Sequence, residues 1–290
     1  MFEYDTQSAF DLKEHKRQDR AGVSIYDISY ASPRGGHVSA LLLVPARDTL
    51  HAGLLFMHPS GADRYAFLEE ANVFCQGGAV ALLIDAPHAR SPQRLFFSFT
   101  EQDRDDFIQV VVDLQRGVDL LIVQPNIDAS RIGYVGFSYG ATVGAMLAGV
   151  EKRIKAYILW GGGARLTNSL RARGKAIPKA KLEAYLEMMT ALDSIYHISH
   201  AAPSALFFQN GRGDKNVPEH EALALHQAAT EPKWVAWYNA GHALNVQACL
   251  DRYDWLCEQL NLDALSPALI KELGKFKLKQ MRRPNRPNGK

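Results

Sequence analysis

Cysteine is scarce in this chain: Cys75, Cys249 and Cys257 are the only three in 290 residues, and no two form a C-x-x-C pair. Cys249 and Cys257 stand in one helix-like stretch, about 12 Å apart at helical rise, which is too far for a disulfide. An odd count without a framework argues against a disulfide scaffold and fits a reducing, cytoplasmic setting. Long apolar runs are also missing. No stretch approaches the roughly 20 apolar residues that span a bilayer. The opening MFEYDTQSAFDLKEHKRQDR is polar and charged, without the apolar core of a signal peptide. Net charge is only +2, too little to imply a nucleic-acid or membrane partner. There is no Walker loop, no dinucleotide fingerprint and no metal-ligand cluster. His197 and His200 alone make a weak metal pair.

What is present is ordinary for a globular chain: 47% hydrophobic and 22% charged residues, enough for one α/β core. The charge is uneven. Eight Lys or Arg and one Glu fall between Ser266 and Lys290, and six Lys or Arg with no acid fall between Arg165 and Lys181. The first cluster reads as a basic tail that ends the chain in solvent. The second reads most simply as a solvated face, or else as a surface that attracts anionic substrates.

Patterning then organises the chain. Residues 23–30 and 38–45 are β-rich runs separated by Pro33, Gly35 and Gly36, an antiparallel entry. Beyond them, short apolar runs at 52–57, 79–84, 131–135, 156–160, 204–209 and 234–238 alternate with helical patterns. The helices are expected at 64–76, 101–123, from about 139, at 218–229 and at 244–260. This alternation implies βαβ units and a mostly parallel sheet buried on both faces. Residues 161–203 interrupt it. That span is too long for an ordinary connection and holds one helical stretch, 179–192, so a small cap over a site is expected there. After Leu262 apolar density falls. The division expected is one domain over 1–262 with a cap at about 161–203, and a basic tail over 263–290.

The chemistry concentrates in Gly136-Phe137-Ser138-Tyr139-Gly140. It follows an apolar run and opens a helix of small residues. A nucleophile on a sharp strand-to-helix turn needs small flanks, and the glycines supply them. Serine is a poor nucleophile unaided and needs a base and a group that orients the base. His242 stands in a loop directly after the last apolar run. Asp214, in Asn210-Gly211-Arg212-Gly213-Asp214, follows the run at 204–209. Asp193 and Asp251 are rivals, but both lie in helix-like stretches. Two backbone N–H groups are expected to hold an oxyanion: that of Tyr139, and that of Ser60 in His58-Pro59-Ser60-Gly61, since Pro59 has none. His58 itself reads as a loop-fixing residue. His88, Arg90 and Arg94 stand in the loops after 79–84, expected on the same rim. With Arg171, Arg173, Lys175 and Lys179 of the cap they are candidate substrate contacts.

The segments VSALLLVPA, LLFMHPSG, IGYVGFSYGA, LFFQNGRGDKNVP and WYNAGHAL, over roughly residues 23–260, carry a resemblance. The chain resembles the dienelactone hydrolase and acetyl esterase-like branch of the α/β-hydrolase superfamily, and is similar to the catalytic domain of prolyl oligopeptidases. Dienelactone hydrolases usually carry cysteine where Ser138 stands. The resemblance implies an α/β-hydrolase fold with an eight-stranded, mostly parallel twisted sheet, and the expected architecture is that sheet with helices on both faces and the small helical cap insertion at about 161–203. The resemblance also implies ester hydrolysis through an acyl-enzyme, with Ser138, Asp214 and His242 as the triad. The same machinery would serve a small peptidase or thioesterase, and a binding protein could use the fold without it. No cofactor and no metal are expected. The expected partner is a small-molecule ester, with no nucleic acid and no membrane, and self-association into a homo-oligomer stays open.

Overall fold

In the computed structural model, which describes residues 1–91, 93 and 95–273, one mixed sheet carries the chain. Its strands are β1 (Lys13–Arg20), β2 (Val23–Ala31), β3 (His37–Pro45), β4 (His51–Met57), β5 (Ala79–Ile84), β6 (Ile127–Phe137), β7 (Ile154–Trp160), β8 (Ala205–Gly211) and β9 (Lys233–Tyr238). Their order across the sheet is β1-β2-β3-β5-β4-β6-β7-β8-β9. The first three strands run antiparallel and β3 meets β5 antiparallel. From β5 through β4 to β9 every pairing is parallel.

The sheet therefore has nine described strands, one more than the resemblance implies. The extra one is β1, KEHKRQDR, exposed at all eight positions. It has no apolar alternation to reveal it. Its charges suit an edge that must not pair with another chain.

Residues of the central strands alternate between two cores. On β4, Leu55 and Met57 face one side while Ala52, Leu54 and Phe56 face the other. Strand β5 divides in the same way, with Val80, Leu82 and Ile84 opposite Ala79, Ala81 and Leu83. This two-sided burial is why the strands read as unbroken apolar runs. One face is covered by α1 (Leu68–Gln76) and, later in the chain, by α8 (Val246–Leu260). The other is covered by α2 (Glu101–Ile122) and α3 (Tyr139–Val150), and further along by α7 (Glu219–Ala228). Thr100 caps α2 by accepting from the Gln102 N–H, and Asn245 caps α8 by accepting from the Ala248 N–H.

The interruption at 161–203 contains three α-helices rather than one: α4 (Leu166–Arg173), α5 (Lys179–Met189) and α6 (Ser194–Ile198). Helix α4, LTNSLRAR, buries only Leu166 and Leu170, so its apolar face is too thin to read. Tyr185 ties α5 to α2 through a 2.6 Å hydrogen bond to Asp103, and Ser194 donates to the Thr142 carbonyl of α3.

The expected tail also begins later than residue 263. Helix α9 (Pro267–Leu273) packs against α8 and α1, with Leu265 and Leu273 buried. Arg47 pairs with Asp263, and Tyr253 donates to its carbonyl. A few apolar residues in a polar stretch were enough to dock the segment. The rest of the basic tail, from residue 274 on, lies outside the described residues, as does Arg94.

Candidate active site

The site is built at the carboxyl edge of the parallel strands. Strand β6 ends at Phe137, and Ser138 turns the chain into α3 with φ 55° and ψ −107°. Positive φ is costly for a residue with a Cβ, and such strain persists only where its surroundings enforce it. Both glycines of the motif are needed sterically. A Cβ on Gly136 would strike the Gly140 carbonyl, and one on Gly140 would strike the carbonyl oxygen of Met57 at the end of β4. A Cβ on Gly144 would enter the Tyr134 ring, so the small residues of α3 do let the helix lie close on the sheet.

Two separate loops, after β8 and after β9, converge on this turn. His242 Nε2 lies 2.8 Å from Ser138 Oγ, and His242 Nδ1 lies 2.7 Å from Asp214 Oδ2. The side chains of His242 and Asp214 are 16% and 6% exposed, so the relay is largely shielded from water. Burial pushes the Asp214 carboxyl up. The hydrogen bond from His242 and those from the Val217 and Asn216 N–H groups outweigh this and leave its pKa below the ordinary value. An ionised carboxylate can only accept, which assigns the proton to Nδ1 and leaves Nε2 to accept from the serine hydroxyl. The rival carboxylates are occupied elsewhere. Asp193 accepts from the Thr167 N–H and hydroxyl, and Asp251 from Tyr238 and Gln247.

Residues with no sequence motif hold the relay in position. The indole N–H of Trp160 donates to the His242 carbonyl at 3.1 Å, and Trp160 stacks on Phe137 with ring centroids 4.0 Å apart. The Phe137 ring meets the His242 ring at 4.9 Å. Gly161, at φ +63°, lies against the imidazole, where a side chain would crowd it. The run Trp160-Gly161-Gly162-Gly163 after an apolar strand is the available sequence signal, since such a run marks a close backbone approach. Behind Trp160 sits the Arg252 guanidinium, 4.4 Å from its ring centroid, in a buried bidentate pair with Glu70 at 2.5 and 3.0 Å.

His58 fixes the loop after β4. Its Nε2 accepts from the Ala86 N–H at 3.0 Å, so Nδ1 carries the proton and donates to the Pro59 carbonyl at 2.8 Å. Holding that carbonyl fixes the plane of the Pro59–Ser60 peptide and hence the direction of the Ser60 N–H. Ser60 and Tyr139 both line the cavity that opens above Ser138.

That cavity encloses about 1220 Å³. Phe96, Phe97 and Phe107 form an apolar wall, and α4, α5, α7 and the loops after β4, β7, β8 and β9 contribute further lining. The substrate-contact candidates divide. Arg171, Arg173 and Lys175 line the cavity, whereas Lys179 does not. His88 and Arg90 do not line it either, which corrects their expected role. His88 is buried edge-on against Tyr139, Phe96 and His58. Arg90 turns inward, donating to the Asp85 carbonyl and to the buried Asp113 carboxylate. A guanidinium in a loop that faces the core finds its carboxylate there and has no charge left for the rim. The basic stretch of the cap is also partly neutralised, because Arg171 pairs with Glu183 of α5 and Arg165 with Glu221 of α7. Among the described residues no group of three or more His, Cys, Asp or Glu could hold a metal, and no helix is long and apolar enough to cross a membrane.

Comparison with known proteins agrees with this architecture. The family model described as "BAAT / Acyl-CoA thioester hydrolase C terminal" matches residues 114–201, from α2 through the Ser138 turn and across the interruption. No curated protein matches the chain. Among solved structures, an acetyl xylan esterase from Paenibacillus sp. R4 superposes with a TM-score of 0.75 at 18% identity, over 88% of this chain and 90% of that one. Acetyl xylan esterase 1 from Thermoanaerobacterium sp. JW/SL YS485 gives 0.75 at 14% identity over the same shares. A cold-adapted esterase from an Arctic intertidal metagenomic library gives 0.67 at 16% identity, over 86% and 99%. At such identities the likeness is one of fold, and the chain has the α/β-hydrolase fold in the form these esterases share.

Proposed function

We propose that this protein is a serine hydrolase that cleaves carboxylic esters through an acyl-enzyme. One observation carries the reading: an unbroken relay from Ser138 Oγ through His242 to Asp214, with steps of 2.8 and 2.7 Å, at the floor of a cavity. Ser138 Oγ attacks the ester carbonyl while His242 Nε2 takes its proton. Asp214 steadies the imidazolium that forms. The oxyanion receives the N–H groups of Tyr139, at the head of α3, and of Ser60. His242 then gives its proton to the departing alcohol. Water enters by the same route in reverse and releases the acid, restoring Ser138.

A second reading, thioester hydrolysis by the same residues, is favoured by the family model that matches residues 114–201. Initial rates on an ester, a thioester and an amide of one acyl chain separate the readings. The proposal expects the ester to be the best substrate by kcat/KM. A thioester preferred by tenfold or more would transfer the assignment, and turnover of none of the three would remove it.

A further inference from the structure

The cavity above Ser138 has two walls of different chemistry. The inner wall is aromatic. Phe96 and Phe107 each pack on the Tyr139 ring with centroids 5.3 Å apart, and Phe97 stacks on Phe107. The outer rim is cationic: Arg165, Arg171, Arg173, Lys175 and Lys215 all line the cavity. Among the described lining residues Glu221 is the one carboxylate. It is already engaged, accepting from the Arg165 backbone and guanidinium and from the Asn168 amide, with its side chain 6% exposed. Arg165 and Arg171 are committed to Glu221 and Glu183. Arg173, Lys175 and Lys215 have no carboxylate partner among the described residues. Arg173 also lies over Phe97, 5.8 Å from the ring centroid, so the apolar wall runs directly into the charged rim.

Three cations without a carboxylate partner among the described residues, set around a concave site with a low-dielectric wall, focus a positive potential into it. An anion entering there gains Coulomb energy without having to break an existing ion pair. The aromatic residues packed on Tyr139, next to Ser138, favour apolar chain over water. Resting on the serine hydrolase reading, we propose that the preferred substrates are esters of a particular shape. Their acyl chain is apolar next to the scissile carbonyl and ends in an anionic group, carboxylate or phosphate type, that meets Arg173, Lys175 and Lys215.

The test uses matched para-nitrophenyl esters: a hexanoate, a hydrogen adipate of the same length, and a chain of that length ending in a phosphonate. At low ionic strength kcat/KM for an anionic ester should exceed that for the hexanoate by about tenfold or more, and the excess should shrink as salt screens the rim. The phosphonate and the adipate tell which anion is preferred. In the triple variant Arg173→Gln/Lys175→Gln/Lys215→Gln, shown by thermal melting to be folded, the excess should fall to within about twofold of unity. Turnover of the hexanoate with no excess for either anion would overturn this proposal and leave the hydrolase reading intact. So would an excess that survives both high salt and the triple variant. Turnover of none of the esters, with no acylation of Ser138, would remove both.

Discussion

At Asp214 the two carboxylate oxygens have different tasks: Oδ1 accepts from the Asn216 and Val217 N–H groups while Oδ2 accepts from His242. The substitution Asp214→Asn is therefore diagnostic. The backbone N–H groups would hold the amide oxygen at Oδ1 and turn the NH2 toward His242. The imidazole would then accept at Nδ1 and carry its proton on Nε2, where it cannot act as base. We expect kcat to fall by roughly 10³ to 10⁴ with the fold retained, measured by steady-state kinetics beside a circular-dichroism melt. Near-normal turnover would mean that another carboxylate serves. Ser138→Ala keeps a small side chain in the same turn, so it should fold and lose roughly 10⁴ to 10⁶ in kcat. Activity within tenfold of the native protein would dismiss Ser138 as nucleophile.

At the scale of elements, a buried charge joins the two ends of the chain's covering layer. Arg252 of α8 pairs with Glu70 of α1 and donates to Gln209 of β8, with the Arg252 and Glu70 side chains 3% and 9% exposed. The Arg252→Met variant would leave the Glu70 carboxylate buried and unpaired. Breaking such a pair costs about 3 to 5 kcal/mol, which chemical denaturation would detect as a lowered midpoint. The double variant Arg252→Met/Glu70→Leu should recover much of the loss, and a single variant as stable as the native protein would contradict the account. This pair also shows why sequence patterning reached some elements and not others. Strands such as β5, buried on both faces, appear as apolar runs because nothing polar interrupts them. Strand β1 and helix α4 were invisible because each is fixed by backbone pairing or by one or two leucines rather than by a periodic face. The placement of Ser138, His242 and Asp214 after strands was legible because each sits in a short motif behind an apolar run. Gly161 leaves a trace in the glycine run after β7, whereas the roles of Trp160 and Arg252 come from tertiary contacts that no local pattern carries. The misreading of Arg90 has the same origin: its partner, Asp113, is on a helix distant in sequence.

At the scale of the whole molecule, stability should respond to acid in a window set by His226. This side chain of α7 is buried against Phe208, and its Nε2 accepts from the Asn210 amide at 3.0 Å. Burial, aided by the nearby Lys233 charge, pushes its pKa down from 6.5 to about 4. Between these two values the unfolded chain binds a proton that the folded chain refuses. The contribution of His226 to stability is therefore complete above pH 6.5 and is lost as pH falls toward about 4, by roughly 3 kcal/mol. Urea unfolding at several pH values should show that slope, and His226→Gln, which keeps an acceptor for Asn210, should flatten it. An equal slope in the variant would assign it to other groups. The proposed chemistry depends on the molecule in the same collective way, since the nucleophile, base and acid come from the ends of β6, β9 and β8. The most direct measurement of that assembly is labelling of the folded protein with a fluorophosphonate, followed by peptide mass spectrometry. The account predicts a single adduct on Ser138 that disappears when the protein is first unfolded. No adduct on the folded protein, or an adduct on a different residue, would contradict it.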